Sequence, residues 1–157
     1  MATALKAWRY PTEKTHKCVL EDDVITCDNF KEVCEKMVRK HPLAIFSLFP
    51  IQFLEQNPYT DRLINPKDPY IRASDISSCA LLMPVCYSDE IFRNATDKDD
   101  VEALIIHYIV DNHIDFYTTL PGTVQHIGKV SMINSSTGRH GDISTHYFLK
   151  DVSGYDF

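Results

Sequence analysis

Residues 16–41, HKCVLEDDVITCDNFKEVCEKMVRKH, set two short β-prone runs ahead of an amphipathic helical segment, and their reading decides the fold. KCVLE and VITC flank Asp22-Asp23, so 17–27 reads as an N-terminal β-hairpin, although Asp-Asp is a poor substitute for the Asn-Gly or Asp-Gly of a tight turn. Pairing Leu20 with Ile25 also opposes Cys18 to Cys27. Strand alternation then puts His16, Cys18, Leu20, Ile25 and Cys27 on one face. Asp28 is a candidate cap for a helix running to about His41, where Pro42 disfavours further helical geometry. Phe30, Val33, Cys34, Met37 and Val38 recur at helical spacing, with Lys31, Glu32, Glu35, Lys36 and Arg39 opposite.

Three of the five cysteines fall in this stretch, and they admit three explanations. A zinc module would use His16, Cys18, Cys27 and Cys34. His41 is excluded from it, because seven helical residues beyond Cys34 is roughly 10 Å. A Cys18–Cys27 disulfide is compatible with opposed strands but needs an oxidising compartment. The third explanation accounts for most: Leu20, Ile25 and the helix stripe surround the thiols with apolar groups, and cysteine packs as a small hydrophobe. The cluster therefore reads as three core thiols, with no cofactor required and zinc as the alternative.

Beyond it, LAIFSLF (43–49) is a buried strand or helix segment, and 51–75, with Pro58, Pro66 and Pro69, is a long irregular connection. CALLMPVCY (79–87) reads as a strand whose Pro84 implies an edge or a bulge. A second helix opens at Asp99 or Asp100 and runs to about Asn112; its wide apolar stripe suggests a central position. Strands at 114–120, 123–133 and 142–151 then form a C-terminal three-stranded meander, with Pro121-Gly122 as the first turn. The expected fold is α+β: a single domain over 1–157, a mostly antiparallel sheet and two main helices.

The net charge of −6 resides entirely between Asp89 and Asp115; the rest of the chain is neutral. Such a balance disfavours nucleic acid as a partner. No run approaches transmembrane length and the first residues lack the apolar core of a signal peptide, so a cytoplasmic protein that binds no membrane is expected. An odd cysteine count suits a reducing compartment. All five glycines lie in the last 36 residues, which removes phosphate loops, dinucleotide fingerprints and nucleophile elbows from residues 1–121. The Asp97–Glu102 run lacks the sharp-turn glycine of a calcium loop and reads as an acid-rich helix start.

Elimination leaves a non-catalytic, regulatory role in binding another protein; a virus-encoded modulator of a host protein would suit a chain of this kind. The candidate surfaces are the acidic segment 89–115 and the aromatic-rich stretch 43–75, where Phe53, Tyr59, Arg62, Tyr70 and Arg72 have the composition of an interface. A core flap over the sheet is the competing reading of that stretch. The enzymatic alternative is a cysteine-dependent hydrolase using Cys79 and His146.

Overall fold

The computed structural model describes residues 2–50, 65–72, 76, 79–127 and 148–157. Among these residues the chain forms, in order, α1 (Ala2–Arg9), β1 (His16–Leu20), β2 (Val24–Thr26), α2 (Phe30–Lys40), β3 (Ile45–Ser47), β4 (Tyr70–Arg72), β5 (Ala80–Pro84), α3 (Val85–Ile91), α4 (Val101–Asp111), β6 (Phe116–Thr119) and β7 (Val124–His126). This is an α+β fold. Its main sheet has the order β1-β5-β3-β6-β4 and is antiparallel except for β3 against β6. Strands β2 and β7 make a separate antiparallel ribbon.

Side-chain alternation sorts the sheet into two apolar layers. Phe46 and Leu82 face α2, where Val33 and Met37 are buried with Cys27, Val152 and Phe157. Ile45, Leu81, Met83 and Phe116 face the opposite way, against Leu5 and Trp8 of α1, Phe92, and Val101 and Ile105 of α4. The helix stripe of α2 falls where its spacing predicts. Asn29, not Asp28, holds the cap position, in a left-handed conformation without a side-chain capping bond. Asp100 does cap α4, accepting from the backbone N–H groups of Glu102 and Ala103.

The expected hairpin does not form. Both strands exist, but β1 pairs with β5 and β2 pairs with β7. Asp22-Asp23 does not close a tight turn, and each side of it continues a different ladder: Glu21 N–H donates to the Cys79 carbonyl at 2.9 Å, and Ile127 N–H donates to the Asp23 carbonyl at 2.8 Å. The meander is likewise divided, since β6 belongs to the main sheet and β7 to the ribbon. Residues 142–147 of its third strand lie outside the described residues; Phe148 makes an isolated parallel bridge to Gly122.

Three further expectations change. Pro84 marks neither an edge nor a bulge: β5 lies between β1 and β3, and Pro84 closes it where α3 begins, so residues 85–87 are helical. A proline there removes no interior ladder bond. Residues 70–72 of the supposed irregular connection form β4 against β6. Helix α4 covers one face of the sheet and is not central; Val101 and Ile105 are its buried residues, and Val110 is 62% exposed.

Candidate functional site

The three thiols of residues 18–34 do meet, though not through a hairpin. Cys18 stands opposite Leu82 on the sheet face that α2 covers, and Cys27 follows β2 directly before that helix. The Cys34 thiol hydrogen-bonds to Cys18, and this contact together with burial pushes its pKa far above the ordinary range. Burial and the neighbouring Cys34 push Cys27 up to about 11. Cys27 is buried and Cys34 half-buried, as core thiols should be, whereas Cys18 is exposed. All five cysteines stand outside disulfides. Cys18 and Cys27 are no longer opposed, so the strand-pair basis for bridging them is gone.

His16 does not turn to the thiols as the zinc module requires. Its ring nitrogens lie 3.0 Å from Thr15 Oγ1 and 3.0 Å from the Pro42 carbonyl oxygen. Burial lowers its pKa, against the opposing pull of that carbonyl.

A different cluster of chemically capable groups assembles where β1 ends and β2 begins. Glu21, Cys79 and His126 each present a donor atom, and the three atoms lie within 4.8 Å of one another. Backbone bonds fix two of these residues together, through Glu21 N–H and the Cys79 carbonyl. His126 stands opposite Val24 in the ribbon, with Nε2 3.1 Å from Asp23 Oδ2 and 4.0 Å from Glu21 Oε2. The imidazole is buried, and its Nδ1 has no hydrogen-bond partner among the described residues. The carboxylates of Glu21 and Asp23 are half-exposed, so the cluster opens to solvent on one side.

The sequence-assigned partner of Cys79, His146, lies outside the described residues, as do Phe53, Tyr59 and Arg62. Of the remaining interface candidates, Tyr70 packs its ring among His41, Phe46, Tyr117 and Phe157 with Lys40 above it. Tyr70 is thus a half-buried residue of a sheet strand, and residues 51–64, which a flap over the sheet would need, lie outside the described residues. Arg72 is exposed and ion-paired with Asp115 at 2.7 Å. Glu21, Asp23 and His126 carry no motif in the sequence, because they converge from separate segments. Asp23 reads as part of a turn and His126 as a strand residue.

The acidic segment is solvent-facing. Asp89, Glu90, Asp97, Asp100, Asp111 and Asp115 are exposed on α3, α4 and their flanks, and Asp99 and Glu102 are half-buried. Asp99 accepts from the N–H and the hydroxyl of Thr96, which hold its carboxyl below the usual carboxylate range. Together with the Asp100 cap, this accounts for the calcium-loop resemblance as helix-start chemistry. No helix of the described residues is long and apolar enough to cross a membrane. Comparison of the chain with protein families, with curated proteins and with solved structures finds no significant match.

Proposed function

We propose that the chain acts by binding another protein, without catalysis, and that the acidic helical layer α3–α4 is the surface that meets it. One observation carries this reading: the whole net charge of −6 lies between Asp89 and Asp115, and five of the eight acidic side chains there, Asp89, Glu90, Asp97, Asp100 and Asp111, are exposed on α3, α4 and the segment between them. A single-sign field on one face steers a partner of opposite sign and repels nucleic acid. Val110, exposed beside Asp111, gives the same face an apolar contact. The partner would be a protein with a basic surface, in the reducing, cytoplasmic setting that the odd cysteine count favours.

The test is quantitative cross-linking of the full chain in cell extract, followed by binding of any purified partner across a salt series. A stoichiometric partner whose affinity falls with salt, and falls at least about tenfold in the double variant Asp97→Lys, Asp111→Lys, supports the reading. Salt-independent binding, or binding unchanged in that variant, moves the interface elsewhere. Alkylation of Cys79 at neutral pH faster than that of exposed Cys18 and Cys86 would favour the hydrolase instead.

A further inference from the structure

The cluster at the β1–β2 crossing has the composition of a metal site. We propose that Glu21, Cys79 and His126, with Asp23 beside them, bind one divalent cation of the zinc class. The inference does not depend on the protein-binding reading.

Geometry is the first support. The three donor atoms already lie within 4.8 Å of one another. Ligands around a tetrahedral zinc ion, with bonds of 2.0 to 2.3 Å, stand about 3.3–3.8 Å apart. Half-exposed Glu21 has room for the small rotation that closes this difference, while Asp23 stays on the His126 ring. Their backbones are already held, by the bonds from Glu21 to Cys79 and from Ile127 to Asp23.

His126 is the second and independent support. The residue is 8% exposed, yet Nδ1 has no hydrogen-bond partner among the described residues. A buried polar atom in that state is costly, and native folds rarely leave one. Nε2 faces Asp23 at 3.1 Å. One ring nitrogen is thus matched to a carboxylate while the other has no partner. Metal-ligating histidines show this same division, one nitrogen on the ion and the other held by a carboxylate or carbonyl.

Charge and donor type define the ion. A thiol and two carboxylates converge around one imidazole, and a divalent cation offsets the repulsion that ionising them would create. Sulfur, nitrogen and oxygen donors together suit zinc, whereas magnesium and calcium take oxygen alone.

The experiment is titration of the metal-free full chain with zinc by calorimetry and with cobalt(II) by absorption. One equivalent should bind, and cobalt should give the thiolate charge-transfer band. Cys79→Ser should abolish that band, while Cys34→Ser should leave it intact. Glu21→Gln and Asp23→Asn should each weaken zinc binding by about tenfold or more. As a check that needs no variant, zinc should slow alkylation of Cys79 by at least about tenfold and leave exposed Cys86 unaffected. Failure to bind one equivalent overturns the proposal, as does equal alkylation of Cys79 with and without zinc. So does a cobalt band that survives Cys79→Ser and disappears with Cys34→Ser, which would place the metal at the cluster of Cys18, Cys27 and Cys34.

Discussion

The ammonium group of Lys17 donates a 2.7 Å hydrogen bond to the backbone carbonyl of Trp8, tying the first strand to the end of the first helix. Lys17 is only 8% exposed, and its Nζ also lies 3.4 Å from Ser88 Oγ and 3.3 Å from Asp89 Oδ1. One buried charge therefore joins α1, β1 and α3. Hydrogen bonds to charged groups contribute about 1.5–3 kcal/mol, so Lys17→Met, which keeps most of the apolar stem, should destabilise by roughly that amount. Asp89 is mostly exposed, and Asp89→Ala should cost less than about 1 kcal/mol. Urea midpoints of the two variants check the ranking. Equal losses would mean that the ion pair, and not the Trp8 carbonyl, holds the lysine.

Gly122 sits where no side chain fits. A Cβ built there would fall 2.5 Å from Pro50 Cδ and 2.9 Å from Pro50 Cγ, atoms of a ring that cannot swing away. The close approach joins the end of β3 to the segment between β6 and β7, where the Leu48 carbonyl accepts from the N–H groups of Thr123 and Val124. Overpacking of this kind typically costs about 1–3 kcal/mol, and Gly122→Ala should lose that much in chemical denaturation. Gly154 is the internal control, since a Cβ added there would meet nothing within 4 Å: Gly154→Ala should be close to neutral.

Asp100 Oδ1 lies 2.9 Å from the N–H of Glu102 and 3.3 Å from that of Ala103, satisfying two of the donors that open α4. Asp100→Ala should destabilise by about 1 kcal/mol, and Asp100→Asn, which keeps the acceptor oxygen, by much less. Thermal or urea unfolding separates capping from charge: if Asn is as damaging as Ala, the carboxylate acts through its charge on the helix end.

How much was legible in the sequence follows the range of the interactions. Helices α2 and α4 could be read because spacing and flanking residues are local signals, and the capping role of Asp100 could be read with them. Even α1 carried such a signal in Leu5 and Trp8, three residues apart and both buried, but a stretch of eight residues is short for periodicity to be noticed. Strand pairing was not legible. Neighbouring strands pair often enough that β1 and β2 read as a hairpin, yet their partners lie about sixty and one hundred residues downstream. The candidate metal cluster depends on both of those pairings, so no spacing could announce it. The reading of three core thiols holds for Cys27 and Cys34 and fails for exposed Cys18, and the route differs: Cys34 meets Cys18 and Cys27 because the sheet face and the helix start converge on it.

The thiols of this cluster and two tyrosines fix how stability should respond to alkali. Burial and neighbouring Cys34 raise Cys27 from an ordinary value of 9.0 to about 11, and contact with Cys18 and burial raise Cys34 further. Burial, with the carboxylate of Glu90, raises Tyr108 from 10.0 to about 12, and burial raises Tyr70 as well. In each case the unfolded chain releases its proton at a lower pH than the folded chain. Their contribution is complete below pH 9, and it is lost as pH rises through the folded values, first that of Cys27 near 11 and then that of Tyr108 near 12. Urea midpoints measured from pH 8 to pH 11 should therefore fall on the alkaline side, and Cys27→Ala should flatten the first part of that fall. The same thiols should resist alkylation at neutral pH until the chain unfolds, while exposed Cys18 and Cys86 react in the native state. Rapid native-state modification of Cys27 or Cys34 would contradict their place in the core, and a flat alkaline profile would contradict the raised thiol.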